Sequence, residues 1–445
     1  MSAASRLGVF VAGLELAVVP EDVVEKARCA LLHNLSVAAA GGILAPVATQ
    51  WAAARTGGTG ARALISGLEL SSADAAFANG CLVHARAQDD VYFPGLTHVG
   101  ATTIPAVLAL AEQRGSTLGE VLLAIVAGYE VAGAVSTPTA QQTTGFGFRA
   151  SGIYGVFGAA AACSKLLGLD PVQSANAIAI AASFSAGTNQ TWVDGSQEWQ
   201  FEVGQAARSG LEAALLAAAG GLGALQAFEG ASGFYAAFAR DADAGRDLAT
   251  KLGRTWFTRA VTFKPYPVCA ILQAPVVAAT KLHAELAGAP FVTASIRLSP
   301  PEAHYPGTEG RAPFEDPGAA LMSASFCLAV ALTDGTVIAG DLFRSDEDGL
   351  LNSSHRIDVI SDESLGRQSF VLDVDFGDAG TRHVEHVGDG TTFNWQRAEL
   401  EQNVQRLAGE VPEGIDLGVL VERCFADLDT PVTSVVDAVI NGHRR

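Results

Sequence analysis

Charge is scarce in this chain, and positive charge scarcest. Only 17% of its 445 residues are charged, and acids outnumber Lys and Arg 47 to 28, a formal net charge of −19. A nucleic-acid partner is thereby disfavoured, because phosphate recognition needs a basic face. A small anionic ligand is not, since a local basic pocket can sit in an acidic molecule. The six cysteines (Cys29, Cys81, Cys163, Cys269, Cys327, Cys424) are scattered without a CxxC pair, so neither a structural zinc site nor a disulfide framework is indicated. Apolar stretches such as 159–162 are broken by Gly, Lys and Asp before reaching membrane-spanning length. No basic segment followed by an apolar core opens the chain. A soluble, cytoplasmic protein with no membrane partner is expected.

Several catalytic signatures are also missing. Residues 145–152 (GFGFRASG) resemble GxGxxG only loosely, with the third glycine misplaced and no strand before it. There is no HExxH and no supported G-x-S-x-G elbow. His383 and His386 lie three apart in an acidic, strand-like stretch and read as solvent-facing. No metal and no cofactor are expected.

What the chain has in excess is small apolar residues. Hydrophobic residues reach 49%, much of it alanine, which suits closely packed helices. So little polar surface suggests that some apolar surface is hidden between copies, and a homodimer is expected. Apolar residues recur at three-to-four spacing over 20–41, 118–135, 152–167, 171–185 and 204–219, the period of helices. Near Phe263 the character changes. Alternating runs at 295–298, 356–360 and 369–376 read as strands, interleaved with helical patterns at 270–286 and 319–332. Helical spacing returns at 397–408 and 418–426. The fold class is therefore mainly α with a smaller α+β module.

Titratable residues cluster on one broken loop ahead of an apolar helix read from about 104 to 114. The loop carries Arg86, Asp89, Asp90, Thr97 and His98, the composition of an active site. The plainer reading is a surface loop whose acids cap helices. His98 follows a Pro-Gly break and titrates near neutrality, which suits a general acid or base; a structural loop histidine is the alternative. Asp89 and Asp90 are adjacent carboxylates that can raise each other's pKa. Arg149, isolated between Phe148 and an apolar helix, can grip a carboxylate in two-pronged fashion. Lys264 opens Lys-Pro-Tyr-Pro-Val-Cys, where two prolines fix the backbone and could aim it. Partly buried, it could serve as a base; as a cation it could bind carboxylate. Cys269 is a weak base candidate, since most buried thiols are only small hydrophobes.

Four segments, 19–42, 84–130, 146–170 with 194–223, and 263–282, resemble the MmgE/PrpD family in order and spacing. The resemblance implies that the last helices rejoin a discontinuous helical domain (1–263 and 400–445), with 264–399 inserted as the α+β domain. It implies cofactor-free proton transfer beside the carboxylates of a polycarboxylate substrate, with His98 and Lys264 as catalytic residues. Arg149, Arg86, Thr97, Asp89, Asp90, Cys269 and Gln273 are the expected substrate contacts. Gln273 stands where the family often has a histidine. The chain also departs from the family's dehydratase and decarboxylase pattern. Ala87 replaces an aspartate, Arg149 a histidine, and a lysine near Trp199 and a histidine near Glu202 are absent. Losing acids while gaining an arginine points to an epimerase that works with two bases, most like iminodisuccinate epimerase. The alternatives are a dehydratase or decarboxylase of a citrate-like acid, and a non-catalytic carboxylate-binding relative.

Overall fold

The computed structural model describes residues 1–55 and 57–440. The first part is helical: α1 (Ala3–Gly13), α2 (Glu21–Ala40), α3 (Pro46–Ala53), α4 (Ser72–His84), α5 (Val99–Arg114) and α6 (Leu118–Ser136). There follow α7 (Ala140–Gly145), α8 (Ala150–Leu167), α9 (Pro171–Ala181), α10 (Gln190–Asp194) and α11 (Glu198–Ala218). Two short strand pairs accompany them: β1 (Ala61–Arg62) with β2 (Glu69–Leu70), and β3 (Val91–Tyr92) with β4 (Val261–Thr262).

The helix ends follow from local chemistry. Thr117 and Glu120 form a reciprocal capping box at α6, and Asp170 and Gln173 another at α9, ahead of a first-turn proline. Gly115 and Gly168 end α5 and α8 in left-handed conformation. Small residues then set the packing distance. A Cβ on Gly128 of α6 would come within 2.7 Å of the Gly158 carbonyl of α8, and one on Gly80 of α4 within 2.9 Å of Gly204 Cα of α11. These pairs pack backbone to backbone, which no larger side chain permits.

Two expectations need correcting here. Helices α6 and α8 are long and apolar enough to span a membrane, which the sequence reading denied. Their apolar windows are nevertheless 89% buried among other helices, so they are core elements. Second, α5 begins at Val99, not near 104, and α11 at Glu198, not Gly204, so Trp199 and Glu202 are helical. Helix α4 was not read at all; ten of its residues are buried, leaving little amphipathic period to see.

The second part contains α12 (Gln273–Glu285), β5 (Thr293–Leu298), α13 (Pro300–Ala303), α14 (Pro317–Met322) and α15 (Ala324–Asp334). After α16 (Asp348–Ser354) come β6 (Ile357–Ser361), β7 (Phe370–Asp375) and β8 (Thr381–His386). The sheet order is β6-β5-β7-β8, parallel only between β5 and β6. Ala294, Ile296 and Leu298 alternate inward and meet Val374, Leu372 and Phe370 across the ladder. Helix α15 packs on α12, covering this core. His383 and His386, three apart on β8, fall on opposite faces; His383 pairs with Asp373 at 2.6 Å. Finally α17 (Arg397–Arg406) and α18 (Leu417–Cys424) pack against α2, and α19 (Thr433–Asp437) closes the described chain. The tail also bonds to the start of α6, Leu118 N–H donating to the Thr430 carbonyl. The protein is thus mainly α with one small mixed sheet.

Candidate active site

Four chain segments deliver one cluster. Helix α4 ends at His84, and the loop after it carries Asp89 into β3. His98 is the N-cap residue of α5, and Arg149 that of α8. Strand β4 pairs with β3 and leads directly to Lys264.

Asp89, fully buried, is the hub. One carboxylate oxygen lies 2.9 Å from His84 Nδ1 and the other 2.9 Å from His98 Nδ1. Lys264 Nζ is 3.6 Å from the first oxygen, 3.3 Å from His98 Nδ1, and donates to the Ala87 carbonyl. Burial alone would push the Asp89 carboxyl up, but His98, Lys264 and His84 outweigh it and hold it well below the usual carboxylate range.

The hydrogen bonds fix the histidine tautomers. Arg149 Nη2 lies 2.8 Å from His84 Nε2. A guanidinium only donates, so His84 Nε2 carries the lone pair and its Nδ1–H faces Asp89. Asp89 likewise needs a donor from His98 Nδ1, which leaves a lone pair on His98 Nε2. That nitrogen makes no hydrogen bond among the described residues, and the ring is 12% exposed. Burial, reinforced by Lys264, pushes His98 down to about 3 against the pull of Asp89. It is a neutral base at ordinary pH. Burial also lowers Lys264, though Asp89 and Asp90 oppose the shift.

Around Arg149 the lining turns aromatic. Its guanidinium lies over Trp192, 4.8 Å from the ring centroid, and Trp199 sits edge-on to His84 at 5.1 Å. Glu202 approaches Arg149 Nε only to 3.8 Å. Glu202 also borders an apolar cavity of about 290 Å³ walled by Phe77, Phe184 and Phe201. Tyr305, after α13, brings its hydroxyl alongside Arg149 from the sheet-bearing part. His84, Asp89 and His98 could in principle share a metal ion, their ligating atoms all lying within 4.8 Å of one another. Lys264 and Arg149 hydrogen-bond to the same groups and oppose a dication, so the charge pattern suits proton transfer better.

The structure therefore brings together His98, Asp89, Lys264 and Arg149, and leaves other expected contacts outside. Arg86 is wholly buried and spends its fork on Glu410, Gln88 and the Ala40 carbonyl, so it adds nothing to a positive patch. Thr97 Oγ1 donates to the Gly95 carbonyl at 2.6 Å. Asp90 accepts from Tyr129 Oη at 2.6 Å and from Gly100 N–H at 2.7 Å, capping α5 beneath His98. Only one of the two aspartates is raised: Asp90 goes up to about 6, mainly by burial with Asp89 adding to it, while Asp89 itself is held low by its cationic neighbours. Gln273 braces the 264–269 turn, bonding Tyr266 at both N–H and carbonyl and the Val268 carbonyl. Cys269 is buried within electrostatic reach of Lys264 and Tyr305, and burial pushes its thiol up to about 11, which disfavours it as a base. Sequence reasoning missed His84, Trp192 and Tyr305. His84 had a usable signal, five residues before Asp89 at a helix end; Tyr305 lies too far along the chain to have one.

A model of the MmgE/PrpD N-terminal domain matches residues 5–247. A cis-aconitate decarboxylase of Aspergillus terreus (strain NIH 2624 / FGSC A1156) is 28% identical over 286 residues, 60% of this chain and 57% of its own length. Enzymes of the same name from Mus musculus and Homo sapiens are each 32% identical, over 201 and 202 residues, 43% of this chain. The chain spans about 40% of the length of those two.

Proposed function

This chain belongs to the MmgE/PrpD family, and we propose that it is a lyase that decarboxylates an unsaturated, aconitate-like polycarboxylate through one acid/base, His98. The observation that carries this reading is the shared carboxylate. His98 and Lys264 are both fastened to Asp89, with Nζ 3.3 Å from the His98 ring. Two-base epimerisation needs its bases on opposite faces of one carbon, and these two are side by side. The relatives named above are decarboxylases, which supports the lyase over the epimerase expectation.

The chemistry follows from the charges. Arg149 holds one substrate carboxylate. The bond from carbon to a second carboxylate breaks, CO2 leaves, and the electron pair spreads over the double bond into the remaining carboxylate as an enediolate. The Lys264 ammonium lies close enough to His98 to stabilise that charge. His98, neutral in the free protein, takes up one proton from solvent as the polyanion binds. Its Nε2–H then protonates the far carbon, and Asp89 stabilises the imidazolium in the interval.

Incubation of the purified protein with cis-aconitate in D2O tests this. CO2 release is expected, with one deuterium on carbon in the product, and His98→Asn should abolish both. Exchange of an alpha-hydrogen from a polycarboxylate with neither CO2 nor water released would overturn the lyase reading in favour of the epimerase.

A further inference from the structure

Two N–H donors beside the cluster have no acceptor. Arg149 Nε and Trp192 Nε1 are both buried and make no hydrogen bond among the described residues. They are neighbours, because the guanidinium lies over the Trp192 ring. A buried donor left unpaired is costly, and ligand-free binding sites are where such groups persist. Trp199 Nε1 is also unpaired, but it abuts Gly318 of α14 and is not counted in the subsite. Tyr305 adds a third donor, its hydroxyl beside Arg149 and only loosely held, 3.5 Å from Asn189 Oδ1.

Glu202 is the odd member. Its Oε1 accepts from Thr188 N–H at 2.7 Å, while Oε2 is buried, unpaired, and 3.8 Å from Arg149 Nε, beyond a hydrogen bond. The cavity that Glu202 lines gives the side chain somewhere to swing. Burial pushes its carboxyl up against the pull of Arg149, so it is a poorly satisfied anion.

We propose that Arg149, Trp192 and Tyr305 form the subsite for a substrate carboxylate that is retained rather than lost, and that Glu202 stands in it as a resting counter-charge which the substrate displaces. This rests on the polycarboxylate reading and adds to it a specificity for carboxylates placed away from the reacting carbon. Glu202 then acts as an internal competitor: it keeps Arg149 aligned with His84 between turnovers, and it weakens substrate binding in doing so.

Calorimetric titration of the full chain with propane-1,2,3-tricarboxylate, which cannot react, provides the test. Tyr305→Phe removes only the hydroxyl and should weaken binding about tenfold; Trp192→Phe keeps an aromatic ring but loses the N–H together with the five-membered ring, and should weaken binding by at least as much. Glu202→Gln should tighten binding about tenfold, because the competing charge is gone. Unchanged or weaker binding in Glu202→Gln overturns the proposal, as does unchanged binding in Trp192→Phe or a wild type that binds no tricarboxylate. If the three shifts appear but no polycarboxylate is turned over, the subsite stands and the lyase reading falls. If CO2 is released while all three variants bind like wild type, the reverse holds.

Discussion

Replacing Asp89 by Asn should disable His98 without touching it. The wild-type carboxylate accepts from two Nδ1–H groups, one on each oxygen. An amide offers one acceptor and one donor. His84 cannot give up its Nδ1–H, because Arg149 requires a lone pair on Nε2. The amide oxygen therefore goes to His84 and the NH2 turns to His98. His98 must then carry its lone pair on Nδ1 and its proton on Nε2. In that state Nδ1 can also accept from Lys264, 3.3 Å away, so it stays unprotonated, the imidazolium does not form, and the neutral ring is too weak an acid to give up its Nε2–H. The same swap in a serine-protease triad costs about 10⁴ in kcat, or about 5 kcal/mol of barrier, with geometry intact. A loss of that order is expected here in CO2 release, with KM changed far less because Arg149 stays in place. Long-range nitrogen–proton NMR reads the tautomer of His98 directly. An Asp89→Asn enzyme retaining a tenth of wild-type kcat, or keeping the proton on Nδ1, would refute the reasoning.

The remaining predictions concern stability and exclusion. Burial holds His98 near 3 when folded, below the ordinary histidine value of 6.5, so its contribution is full above 6.5 and is lost as pH falls toward 3. His98→Asn should accordingly shrink the drop in urea-unfolding free energy between about pH 7 and 4. Glu130 acts with the opposite sign: raised to about 7, mainly by burial, it loses its contribution as pH rises through that value. Arg86→Met should cost about 3 kcal/mol by orphaning Glu410, seen in thermal or urea unfolding, while tricarboxylate binding stays at the wild-type value. Gly204→Ala puts a Cβ 2.5 Å from the Phe77 carbonyl and Cys81 Sγ; parting α4 from α11 should cost about 1–3 kcal/mol in unfolding and lower kcat together. Cys269→Ser should retain turnover, since a thiol pushed up to about 11 is protonated throughout the working range; a collapse of kcat would restore it as a candidate base.

The helical class was legible because α2 and α6 are long apolar, alanine-rich runs and because α6 and α9 open on capping boxes. The strands at β5, β6 and β7 were legible because their alternation faces one side of a thin sheet. Helix α4 was not, because burial on all sides erases the apolar stripe that betrays a surface helix. At the site, His98, Asp89, Arg149 and Lys264 stood out as polar groups in apolar or proline-fixed surroundings. What the sequence could not separate was Asp89 from Asp90, or Arg149 from Arg86. Neighbouring aspartates on an irregular loop point in different directions, one to two histidines and one to a helix N-terminus. The partner that removes Arg86, Glu410, is more than three hundred residues away in the chain. Tyr305 and Trp192 were invisible for the same reason, since their roles arise only from tertiary approach.

The anchoring of Lys264 bears on how the site can be altered. Lys264 follows β4, which is laced to β3, and its ammonium is tied to the Ala87 carbonyl and Asp89. The lysine therefore travels with the helical part, although the chain beyond it enters the sheet-bearing part. Tyr305 belongs to that second part. Asp89 is sealed from solvent and His98 barely reached by it, and Tyr305 borders the site from that second part. A change confined to that part leaves the Lys264–Asp89–His98 contacts as they are, so the wall that meets the substrate can be re-cut at Tyr305 without rebuilding the proton machinery.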